Sequence, residues 1–137
     1  MGVHLADVEQ RPRDLKDRTR DFALRVIRLY GALPKRAESQ VIGRQVLRSG
    51  TAVGANYREG LRARSKSEYA AKLSVGLMEL EETLYWFELL EHARIIPAAK
   101  LAPLMGETSE LSAIFVTLIK QARMAARSNQ SPISRGA

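Results

Sequence analysis

Six basic residues on and just past one segment, Arg44, Arg48, Arg58, Arg62, Arg64 and Lys66, are the side chains of this sequence best suited to hold an anion. A guanidinium presents planar N–H pairs that match phosphate or carboxylate oxygens, and an ammonium adds a compact point charge. Read as a helix, the segment lines up Arg44, Arg48, Thr51, Ala55, Arg58 and Arg62 on one face, while Ile42, Val46, Ser49, Val53, Asn56 and Gly60 form a seam about 200° around the axis. One face can pack and the other can meet a polyanion. From Arg44 to Arg62 is about 27 Å of helix, enough to follow several phosphates. The same arginines could instead form a solvated face, or pair with Glu79, Glu81, Glu82, Glu88 and Glu91 within a subunit or across an oligomer interface.

Catalytic chemistry finds little to work with. Cysteine is absent, which excludes disulfides and thiolate ligands or nucleophiles. Glu88 and His92 lie one helical turn apart, but a carboxylate di-metal bundle needs Glu-x-x-His pairs on two helices, and the chain has 2 histidines in all. His4 sits in a polar N-terminal stretch with no partner to name. No metal, no cofactor and no enzymatic activity is expected. A buried polar group without a partner costs roughly 1 to 3 kcal/mol, so Asn56 and Glu59 should satisfy each other or a neighbouring backbone rather than catalyse. Tyr85, Trp86 and Phe87 form the densest aromatic group. Adjacent residues on a helix point apart, so Tyr85 or Trp86 should face a subunit interface or a groove, with base stacking as the alternative.

A formal charge of +7 favours an acidic partner. Nucleic acid fits better than membrane, because no strongly apolar surface helix accompanies the charge. With no long apolar run and no hydrophobic region in Met1–Asp7, the expected location is cytoplasmic.

Helices must position these residues. At 137 residues the chain should form one domain, and every long segment carries helical rather than alternating periodicity. A first helix, from about Asp14 as candidate N-cap to Leu33, carries Leu15, Phe22, Val26, Leu29 and Leu33 and is stopped by Pro34. A second runs from about Ala37 to Leu61, ending at or just after Gly60, where glycine can take a left-handed cap conformation. Ser65-Lys66-Ser67-Glu68 fits a capping box that opens a third helix, Lys66 to about Arg94, with Tyr69, Leu73, Gly76, Leu80, Thr83, Phe87 and Leu90 on one stripe. The last helix carries Leu104, Leu111, Phe115, Leu118, Ala122 and Ala125, with a kink or break expected near Pro103. Residues 1–12 and 128–137 are polar and aperiodic, so flexible ends should flank a bundle spanning 13–127. Four amphipathic helices with short connections predict an all-α, antiparallel up-down-up-down four-helix bundle. Gly50 and Gly54, four apart, would let another backbone approach the second helix closely. Ile27, Met78, Tyr85, Trp86, Ile114 and Ile119 lie off the main stripes, an apolar surplus that argues for a homo-oligomer.

The middle of the chain resembles the bacterial four-helix-bundle proteins first associated with intervening sequences in large-subunit ribosomal RNA genes. Arg48, Val53, Asn56, Glu59, Gly60, Arg64, Ser65, Glu68 and Tyr69 stand where that family's pattern R-A-x-x-S-I-x-x-N-I-A-E-G, then R-S-x-x-E and an aromatic, places like residues. The likeness extends over about Leu15 to Arg127. Two positions depart from it, with Ala52 where the family usually has Ser and Gly54 where Pro is frequent, so a role carried by that Ser does not transfer. The family is similar in fold to accessory proteins of diversity-generating retroelements, which form pentameric barrels and contact reverse transcriptase and nucleic acid. For this chain the resemblance implies a four-helix bundle, a ring of five and an RNA or ribonucleoprotein partner; the alternative is a protein–protein scaffold in which the arginines serve subunit contacts.

Overall fold

Pro34 and the turn at Ser65 divide the helical periods as the apolar spacing requires. The computed structural model describes the backbone of residues 11–136 and the side chains of residues 15–128. Its elements are α1 (Arg11–Ala32), α2 (Ala37–Leu61), α3 (Lys66–His92) and α4 (Ala98–Gly136), and they form an all-α four-helix bundle. His4 and the rest of residues 1–10 lie outside the described residues.

Each apolar stripe supplies one side of a common core. Leu15, Phe22 and Val26 of α1, Val46, Val53 and Tyr57 of α2, Leu73, Leu80, Phe87 and Leu90 of α3, and Leu111 and Phe115 of α4 are fully or almost fully buried. Burying each such side chain contributes about 1.5 to 3 kcal/mol. The Tyr57 and Phe115 rings meet in a tilted pair with centroids 6.0 Å apart. Between α2 and α3 the buried Thr83 hydroxyl lies 2.7 Å from both the Ser49 hydroxyl and its own helix's Glu79 carbonyl. Consecutive helices pack along their lengths. By contrast, α1 and α4 meet over a short stretch, clasped by Arg18, which donates from Nε and Nη2 to Glu107 at 3.1 and 2.7 Å and from Nη2 to Glu110 at 3.1 Å.

Small residues set how closely α2 sits in this bundle. A Cβ on Gly50 would stand 2.9 Å from a Val26 methyl, and one on Gly54 would stand 3.1 Å from the Thr19 hydroxyl and 3.5 Å from the Thr19 backbone carbon. The close approach expected at Gly50 and Gly54 is therefore to α1. Gly60 corrects the expectation of a left-handed cap. Among the described residues no glycine has positive φ, and α2 ends through Arg62 at φ −97°, ψ 4°. Gly60 is needed because a Cβ there would come within 2.7 Å of Leu73 on α3. Left-handed backbone occurs instead at Arg94, φ 59°, where the Ile95 amide bonds the Leu90 carbonyl at 2.9 Å and closes α3 with a Schellman turn.

Four other expectations change. Helix α1 begins at Arg11, ahead of the proposed Asp14 cap; Pro12 fits the first turn, where its missing N–H costs no helical bond. Helix α4 runs without interruption through Pro103, because the carbonyl deprived of its donor belongs to exposed Ala99 in the first turn, where water can reach it. It also continues to Gly136, past the point at Ser128 where the apolar period stops. Ile119, read as lying off the core, is 6% exposed and belongs to it, whereas Ile27, Met78 and Tyr85 are exposed. Trp86 and Ile114 are half-buried against the core.

Candidate nucleic-acid interface

Packing of α2 between α1 and α3 decides which way its arginines point. With Gly50 and Gly54 turned to α1 and Gly60 to α3, the opposite face is left in solvent, and Arg44, Arg48, Arg58, Arg62, Arg64 and Lys66 are all exposed. The six nevertheless differ in what holds them. Arg48 reaches α3, where Nη1 lies 3.3 Å from Glu79 and Nη2 pairs with Glu82, while Nε donates to Gln45 of its own helix at 3.3 Å. Hydrogen bonding to Glu82 raises the Arg48 pKa above its ordinary value, and the same bond, supported by the Trp86 indole N–H at 3.1 Å, lowers that of Glu82. At this position the alternative of intrasubunit pairing holds, and Arg48 ties α2 to α3.

The other cations are freer. Arg58 donates to the Lys16 backbone carbonyl at 3.3 Å, and Arg64 stands 3.8 Å from Glu68. The side chains of Arg44, Arg62 and Lys66 make no hydrogen bond or ion pair among the described residues. At the α2–α3 turn the capping box forms with one change of register: the Ser65 hydroxyl accepts from the Glu68 amide at 3.0 Å, but the Glu68 carboxylate reaches back to the Arg64 amide at 3.2 Å, one residue beyond the expected donor. A cavity of about 670 Å³ opens beside this turn, lined by Gly60, Arg64, Ser65, Lys66, Tyr69 and, from α4, Ala126.

Asn56 and Glu59 do not meet each other. The Asn56 amide donates to the Ala52 carbonyl at 2.9 Å, and Glu59 pairs with Lys72 of α3 at 2.8 Å, which raises the Lys72 pKa. Glu88 and His92 are exposed on α3, and no group of three potential metal ligands occurs among the described residues. Of the aromatic trio, Phe87 is buried, Tyr85 is exposed and Trp86 is half-buried, with the Tyr85 and Trp86 ring centroids 5.1 Å apart. Among the described residues no helix is long and apolar enough to cross a membrane. Sequence reasoning missed Arg123 and Arg127, which line a second hollow beside Ser67 at the same end of the bundle. Their spacing of four on one helix was the available signal.

Residues 13–117 match the family described as 23S rRNA-intervening sequence protein. The chain belongs to this family. Its fold is similar to that of a Bacteroides thetaiotaomicron VPI-5482 protein of unknown function, described as from the S23 ribosomal protein family, with a TM-score of 0.73 and 35% identity over 77% of this chain and 97% of that one. No curated protein matches the chain. The match to the 23S rRNA-intervening sequence protein family takes in the whole α2 row and its capping turn, while Arg123 and Arg127 lie past its end.

Proposed function

We propose that this protein is a non-enzymatic, oligomeric helical bundle that binds nucleic acid electrostatically through the outer face of α2. One observation carries this reading: Arg44, Arg62 and Lys66 are exposed and unengaged among the described residues, on a row about 27 Å long from Arg44 to Arg62. Nearby carboxylates are already taken, Glu79 and Glu82 by Arg48, Glu59 by Lys72 and Glu68 by Arg64. The uncompensated charge therefore awaits an external anion. Phosphates along a strand repeat at a spacing such a row can follow, without base contacts and so without sequence preference. Membership of a family named for an intervening sequence of 23S rRNA accords with RNA as the polyanion.

Self-association belongs to the same proposal. Met78 is 64% exposed, Tyr85 51% and Ile27 47%, and apolar side chains so displayed on three separate turns favour a partner surface. A ring of five, implied by the family resemblance, would repeat the α2 face and raise weak single-site affinity by avidity. Fluorescence anisotropy with a labelled RNA and a duplex DNA at two salt concentrations tests the binding. Three to five neutralised phosphates per subunit should give log K falling by about 2 to 4 per decade of salt. Salt-independent binding, or none at low salt, would leave the protein–protein scaffold as the better account. Sedimentation equilibrium tests assembly, and a monomer at micromolar concentration would contradict it.

A further inference from the structure

Cations reach the α2–α3 end of the bundle from a second helix. Arg123 and Arg127 stand one turn apart on α4, and the hollow they line shares Ser67 and Ala126 with the cavity of about 670 Å³ beside Arg64 and Lys66. The two hollows adjoin, so basic side chains from the α2–α3 turn and from α4 border one depression. Arg123 is steered toward α3 by donating to the Ser74 hydroxyl at 3.1 Å, and the Arg127 side chain makes no hydrogen bond or ion pair among the described residues. The nearby carboxylates Glu59 and Glu68 are engaged by Lys72 and Arg64. Half-buried Tyr69 lines the depression and offers an aromatic surface within a ring of positive charge.

We propose that this depression is a subsite for a single-stranded nucleic-acid segment, which passes from Arg62 and Arg64 across the bundle end to Arg123 and Arg127. The subsite rests on the proposed role of the α2 face and names the form of nucleic acid that face receives. Shape decides between single strand and duplex. A ligand that contacts both the α2 row and α4 must turn around the end of the bundle, and a duplex, with a persistence length of about 150 base pairs, stays straight over that distance. A single strand bends at each nucleotide, and an unpaired base can stack on an aromatic side chain while arginines follow its phosphates.

The test uses the full chain, a fluorescein-labelled oligouridylate of about 16 nucleotides, the corresponding oligodeoxyuridylate, and a duplex DNA of the same length. Anisotropy titrations at several salt concentrations compare the parent protein with Arg123→Ala/Arg127→Ala and with Arg44→Glu/Arg62→Glu. Alanine preserves helix α4, and circular dichroism checks that it does. The single strands should bind more tightly than the duplex. In the alanine pair the single-strand salt slope should drop by about 1.4, two phosphates at about 0.7 each, while duplex binding stays unchanged. Equal affinity for RNA and DNA strands is expected, because the contacts are to phosphate and base face; a strong RNA preference would overturn that assignment and point to 2′-hydroxyl recognition. An unchanged single-strand slope, or an equal loss for duplex, overturns the subsite, and loss of binding in Arg44→Glu/Arg62→Glu would then leave the α2 reading standing. No binding of any ligand by the parent protein overturns both.

Discussion

Replacing Gly54 by Leu tests the close approach that turns the arginine face of α2 outward. A Cβ at this position would lie 3.1 Å from the Thr19 hydroxyl, 3.3 Å from the Thr19 Cβ and 3.5 Å from its backbone carbon. Alanine alone would press on α1, and the three further carbons of leucine have no room unless α1 and α2 separate. Overpacking of this kind costs about 1 to 3 kcal/mol, from which the better helix propensity of leucine recovers part, about 0.8 kcal/mol. The net cost is then about 0.2 to 2.2 kcal/mol, and since about 1 kcal/mol shifts the thermal midpoint of a 137-residue chain by about 3.5 °C, Gly54→Leu should melt about 1 to 8 °C below the parent protein. Gly106 supplies the internal comparison: it is exposed in α4 with nothing within 4 Å of its would-be Cβ, and Gly106→Ala should gain about 0.5 to 1 kcal/mol. Thermal melts followed by circular dichroism at 222 nm, at matched protein concentration, read both variants. A Gly54→Leu midpoint at or above that of the parent would mean that Gly54 does not face α1, and the orientation assigned to the arginine row would fail with it.

Three other substitutions report on separate parts of the account. Ser65→Ala removes the acceptor for the Glu68 amide and should cost about 1 kcal/mol in denaturant unfolding, whereas no change would mean that the α3 cap is not formed in solution. Arg94→Gly relieves a left-handed conformation at φ 59° and should stabilise by about 1 kcal/mol, and a lower midpoint would show that the Arg94 side chain outweighs the strain. Burial, followed by the charge of nearby Tyr69, pushes the Tyr57 phenol up to about 12 from 10.0, so ultraviolet titration should lose its latest tyrosine step in Tyr57→Phe. Because this folded pKa is raised above the unfolded one, the contribution of Tyr57 to stability is intact below pH 10 and is lost as pH rises toward 12; a Tyr57 step near pH 10 in the folded protein would contradict its burial.

The α3 stripe from Leu73 to Leu90 and the second helix from Ala37 to Leu61 could be read from spacing because each carries many large residues at a single period. The errors arise where one residue serves tertiary geometry. Gly60 looks like a helix terminator in isolation, and only the nearness of Leu73 reveals that it is a contact glycine. Pro103 looks like a break, but its position within the first two turns of α4 makes the lost bond tolerable. Spacing put Arg44, Arg48, Arg58 and Arg62 on the face opposite the seam, and these four are exposed because burial of that seam leaves them no other side. It could not distinguish Arg48 from Arg44, because the difference lies in Glu79 and Glu82, more than thirty residues away in sequence and one helix away in space. Arg123 and Arg127 were hidden for the same reason: their relation to Arg64 exists only once α4 lies beside α3.

The central claim, that the α2 face holds phosphates, is tested most directly by anisotropy titration of a labelled RNA at low salt with Arg44→Glu/Arg62→Glu beside the parent protein, each preparation checked for helicity and subunit count. The side chains of these two arginines are exposed and make no hydrogen bond or ion pair among the described residues, so their reversal should leave the fold and assembly intact while abolishing binding. Undiminished RNA binding by an intact double variant would contradict the claim.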